Sequence, residues 1–103
     1  MLTIDLSLKN KELYKGCDIV KSKGYSVLVT KAEEAKDIIA KNMVTIVNSI
    51  SANQRDEVVL IGQVEAWIYL VVFRYLVHDF CKVFFSNGRD VFVLVSQNWG
   101  RPI

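Results

Sequence analysis

Histidine occurs once in this chain of 103 residues and cysteine twice, so two common kinds of site chemistry are short of parts. His78 is the single imidazole available, so a site that uses it for one task has no second histidine for a separate relay. Cys17 and Cys81 lie far apart, with no Cys-x-x-Cys pair. That spacing argues against a disulfide framework or a zinc site and for reduced thiols in a cytoplasmic protein. A glycine-rich phosphate loop, a nucleophile elbow, internal repeats and low-complexity tracts are also missing. An excess of one charge is absent too: thirteen Lys and Arg against eleven Asp and Glu leave +2. Duplex DNA binding needs a broader basic footprint than that. Ala66 to Phe73 is uninterrupted apolar sequence, but Glu65 and Arg74 bracket it. It falls well short of the roughly 20 residues that span hydrocarbon, so no membrane partner is expected. MLTIDLSLKNK at the N-terminus lacks the apolar core of a signal peptide.

What is present reads as one globular domain, 51% hydrophobic and 23% charged. Leu2, Ile4, Leu6 and Leu8 alternate with polar residues and predict a half-buried edge strand. Lys9 to Gly24 is mixed and lysine-rich, a short helix or turns, open to reading as a solvated face or a phosphate patch. Tyr25 to Thr30 is rich in β-branched and aromatic residues and predicts a strand. Thr30-Lys31-Ala32-Glu33 has the spacing of a capping box. Ala35, Ile38, Ile39, Met43, Ile46, Val47 and Ile50 then form the stripe of a helix over Lys31 to Ile50. Val58 to Ile61 predicts a strand buried on both faces, and a helix apolar on most sides begins near Gly62. Cys81 to Ser86 predicts a further strand. Asn87-Gly88 predicts a type I′ turn, and Asp90 to Ser96 a returning strand.

The expected fold is therefore α/β: a small domain of two or three layers, with a βαβαβ parallel core from Tyr25 to Ser86 and a C-terminal antiparallel hairpin strand. Along that hairpin Val83, Phe85, Val91, Val93 and Val95 are set to share one face, with Phe84, Phe92 and Leu94 on the other. Two apolar faces need two covering layers, so a homodimer or larger homo-oligomer is expected. The frequent Lys, Glu and Ile hint at heat tolerance.

Four side chains of the central helix converge at 3.6 residues per turn: Gln63, Trp67, Arg74 and His78. Tryptophan can stack on a base, arginine can pair with phosphate, and histidine can bind metal or move a proton. The same residues read, more simply, as a core Trp, an Arg reaching out of a buried helix and a His on the helix dipole. His78 and Asp79 are adjacent, so on a helix they diverge and make no metal pair by themselves. The tail SQNWGRPI sets Trp99 beside Arg101, either a base-stacking pair or a docking peg for a neighbouring subunit.

The order of features from Val58 to Gln97 resembles the small CRISPR-associated ring nucleases. In these a core strand ends in Gly, a Trp opens a helix, a His lies near the helix end, and a Val-rich hairpin follows. Here those stand as VVLIG (Val58 to Gly62), Trp67, His78 and VFVLVSQ (Val91 to Gln97). The resemblance implies a dimer or tetramer that binds RNA ends or cyclic oligoadenylate between subunits and cleaves a phosphodiester with manganese assisting. His78 matches the family's functional histidine, and together with the helix grouping this makes His78 and Arg74 the catalytic candidates, with Trp67, Gln63, Arg89 and Asn87 as ligand-binding candidates. Where the family has an acidic residue and a Pro-Arg turn, this chain has Phe85 and Ser86-Asn87-Gly88-Arg89. Binding without cleavage therefore stays open. A rival reading is a non-catalytic assembly module that oligomerises through the apolar helix and the C-terminal tail.

Overall fold

The structure is a computed structural model and describes residues 1–97. Its main sheet has the order β1-β4-β5-β6. In it β1 (Leu2–Asp5) and β4 (Glu57–Ile61) run parallel, as do β4 and β5 (Lys82–Ser86). Strand β6 (Val91–Ser96) returns antiparallel to β5. The fold is α/β, as the sequence implies, and β1 is an edge strand, but the first parallel strand is not Tyr25 to Thr30. That segment pairs instead as β3 (Tyr25–Leu28) with β2 (Ile19–Ser22), in a separate antiparallel hairpin. Lys23 and Gly24 between them both hold positive φ, 51° and 87°, as a type I′ turn requires. The local turn pairs these two strands with each other, and β1 takes the parallel place beside β4.

Helices α1 (Ala32–Asn48) and α2 (Ala66–Leu76) pack against each other. The α1 stripe Ala35, Ile39, Met43 and Val47 joins Ile68, Val72 and Leu76 of α2 in one core with Ile4, Val58, Leu60 and Val83. Pairing of Ile4 with Leu60, and of Val58 with Val83, puts these strand residues on one sheet face, which both helices cover. Thr3, Val59, Ile61 and Phe84 point to the other face, so β4 is deeply buried on one side only. The molecule is thus built in two layers, 51 × 30 × 20 Å overall.

Three local expectations need correction. Thr30 does not cap α1: the cap residue is Lys31, without a side-chain bond, and the Thr30 hydroxyl accepts from the Asp18 amide at 2.7 Å. The Asn87-Gly88 turn is longer than a type I′ pair. Gly88 alone has positive φ there, and Asn87 Oδ1 accepts from the amides of Arg89 and Asp90 at 2.9 and 2.8 Å. A bulge between Val83 and Phe84 then resets the hairpin. Phe85 faces Phe92, and Phe84 faces Val93, so Val91 and Val93 share the face of Phe84 rather than that of Val83.

Arg55 ties the two helices at one end. Its guanidinium donates to the carbonyls of Ile50 and Val47 at 3.1 and 2.9 Å and meets Asp79 at 3.4 Å. Gln97 holds the same end by donating from Nε2 to the carbonyls of Val77 and Phe80, at 2.5 and 3.3 Å.

Candidate functional site

Open α/β sheets bind ligands at the carboxyl ends of their parallel strands. Here those ends are Asp5, Ile61 and Ser86, and a cleft of about 500 Å³ opens beside them. Gln63 and Asn87 line it with Gly62, Val64, Tyr69, Phe85 and Ser86. Gly62 makes the approach possible. With φ +105° it passes so close to β1 that a Cβ there would lie 2.8 Å from the Ser7 nitrogen and 2.9 Å from Asp5 Oδ1.

Tyr69 forms the wall. Its hydroxyl donates to the Gly62 carbonyl, and its ring meets Phe85 edge-on at 5.3 Å between centroids. Burial, then the nearby Asp5 carboxylate, holds the Tyr69 hydroxyl above the ordinary tyrosine value. Asp5 accepts from the Ser7 amide at 2.8 Å and from the Ser7 hydroxyl at 3.0 Å, so it is fixed in place. Tyr14 is buried and donates to the Leu6 carbonyl; burial raises it, with Cys17, Asp5 and Tyr69 adding to the effect. Cys17 is raised too, by burial and then by Asp18 and Glu34, which makes it a poor nucleophile.

The remaining sequence candidates lie elsewhere. Helix α2 begins at Ala66, so Gln63 stands in the preceding loop and off the strip that runs from Trp67 through Arg74 towards His78. Trp67 is half-buried and donates from Nε1 to the Glu65 carboxylate at 2.6 Å. Arg74 is exposed in the last turn of α2, and His78 is exposed in the turn that follows. Neither side chain makes a hydrogen bond or ion pair among the described residues; the ion pair found there is Arg55 with Asp79. Arg89 is exposed on the β5–β6 loop. One strand of about 16 Å, at 3.3 Å per residue, separates the His78 end of the sheet from the Asn87–Arg89 end. A single chain therefore brings Gln63 to Asn87 but not His78 to Arg89. Trp99 and Arg101 lie outside the described residues.

The lysines Lys9, Lys11, Lys15, Lys21 and Lys23 are all exposed. Lys15 joins Lys41 at a cleft of about 670 Å³ between the Glu12–Gly16 turn and α1. Asn42 closes that turn by donating to the carbonyls of Leu13 and Lys15 at 2.8 and 2.9 Å.

Among the described residues no three His, Cys, Asp or Glu side chains gather as a metal cluster, and Asp79 beside His78 is held by Arg55. Sequence reading passed over Asp5 and Tyr69. Asp5 ends the opening alternation, a position that gives it away only once β1 is known to be parallel. Tyr69 sits in an apolar run where spacing alone cannot tell wall from core. No helix among the described residues is long and apolar enough to cross a membrane. The chain matches no protein-family model, no curated protein and no solved structure.

Proposed function

We propose that the chain is a nucleotide-binding protein of CRISPR-linked defence that takes cyclic oligoadenylate or an RNA end at a seam between identical subunits. The observation that carries this reading is that Arg74 in the last turn of an apolar helix and His78 in the turn after it are exposed, with side chains unpartnered among the described residues, and that Trp67 lies earlier on the same strip. Arg74 and Arg89 pair with phosphate, Trp67 stacks on a base, and the amides of Gln63 and Asn87 read a base edge. His78 supplies the imidazole at the phosphodiester.

The test incubates the protein with labelled cyclic tetra-adenylate and with a short RNA, with and without manganese. Arg74→Ala weakens binding about tenfold, the loss of one charged hydrogen bond. Product that disappears in His78→Ala identifies a phosphodiesterase, and binding without product identifies a sensor. Neither binding nor product overturns the reading. One observation favours the rival class, an assembly module: Leu70 and Val91 to Leu94 are exposed apolar residues, from 48% to 69% accessible.

A further inference from the structure

Strand β6 closes the sheet on one side, with β5 as its neighbour and no strand on its outer edge among the described residues. An uncovered edge of this length usually carries a charge, a proline or a strong twist that blocks pairing. Val91 to Ser96 has no charge and no proline, and its one irregularity is the bulge that leaves Leu94 without a partner on β5, so Val91 to Val93 form its regular stretch. Both of its faces are open as well: Val91 and Val93 are each 59% exposed, Phe92 49% and Leu94 48%. Phe92 stacks on Phe85, and Leu94 shares an apolar cleft with Tyr69, Leu70 and Phe73, so these two point to the helix side.

We infer that β6 pairs antiparallel with β6 of a second copy about a two-fold axis at Val93, and that this seam assembles the nucleotide site from both chains. The inference rests on the two-copy reading above and says where the seam lies. A strand with free backbone groups and apolar side chains on both faces calls for an occupant that supplies a strand and a layer together. A second copy brings both: Phe92 of one meets Leu94 of the other on the helix side, and the two Leu70 side chains close over them. The register is also electrostatically permissive. Arg89 and Asp90 of one copy fall beside Ser96 and Gln97 of the other, to within the one residue that the Leu94 bulge adds, so no like charges meet.

That register has a functional result. Gln97 is bonded to the carbonyls of Val77 and Phe80, which flank His78. The loop with Asn87 and Arg89 of one copy therefore approaches the His78 turn of the other, joining residues that a single chain keeps at opposite ends of its sheet.

The experiment uses the full chain. Light scattering at micromolar concentration gives a dimer for the native protein and a monomer for Val93→Lys, whose circular dichroism is unchanged. In a Cys17→Ala, Cys81→Ala background, Val93→Cys oxidises to a covalent dimer, because directly opposed strand residues have the Cα separation a disulfide accepts. A mixture of Arg89→Cys and His78→Cys chains in that background is joined by a short bismaleimide. A dimer that survives Val93→Lys, or fails to form either link, overturns this seam and leaves a two-copy site elsewhere. A native monomer overturns both readings. A variant ending at Gln97 that dimerises when the full chain does not shows that residues 98–103 occupy the edge, and this also overturns the inference.

Discussion

Strands β4 and β6 are written in nearly the same alphabet, VVLI against VFVLV, yet Val58 and Leu60 are fully buried while four consecutive β6 residues stand about half exposed. The difference is position in the sheet. β4 has a strand on each side and α2 above it, whereas β6 has one strand neighbour among the described residues and turns Val91 and Val93 to the face away from the helices. Hydrophobic character fixes that a segment is to be covered, and topology fixes whether its own chain does the covering.

Substitutions sharpen that contrast. Leu60→Ala removes packed core under both helices and costs about 2–5 kcal/mol, read by urea unfolding. Gly62→Ala, at the end of the same strand, drives a methyl group into the Ser7 amide and Asp5. With strain at positive φ added, it costs about 2–3 kcal/mol and narrows the cleft beside Gln63. A cost below about 0.5 kcal/mol would show that β1 and β4 are not as close as the contrast requires.

Tyr14→Phe costs about 1 kcal/mol by deleting the bond to Leu6. Tyr14 also sets an alkaline limit. Below pH about 10 both folded and unfolded chains keep the phenol proton; above it the unfolded chain loses the proton while the raised Tyr14 retains it. Stability therefore falls with rising pH by up to about 1.4 kcal/mol per unit, and Tyr14→Phe flattens that slope in melts between pH 9 and pH 11. At the small end, Val93→Lys changes the unfolding free energy of one chain by less than about 0.5 kcal/mol, because its side chain is already in water. A large loss there would erase the distinction between the two strands.

The same contrast explains which parts of the fold were legible. The α1 stripe, the strand at Val58 and the returning hairpin all follow from periodicity and turn residues, signals that are local. The partner of a strand is not local. Tyr25 to Leu28 has good strand composition, but only the paired positive φ at Lys23 and Gly24 commits it to β2. The bulge at Val83 likewise inverts a face assignment that strict alternation makes. For the site, Asn87 belongs to a turn that the sequence marks, whereas Gln63 enters through an expected helical spacing, and the structure seats both at one cleft. The quarter-turn grouping of Gln63 with Trp67 fails because α2 starts three residues after Gln63.

Arg55 carries a consequence for ionic conditions. Two of its three tethers end on carbonyl oxygens, which have no net charge for dissolved ions to shield, and the third ends on the Asp79 carboxylate. Brine loosens that last tether first, and it is the one that reaches the turn bearing the lone imidazole. The helix ends thus stay latched while the loop next to them gains play, so salinity acts on that loop before it acts on the frame.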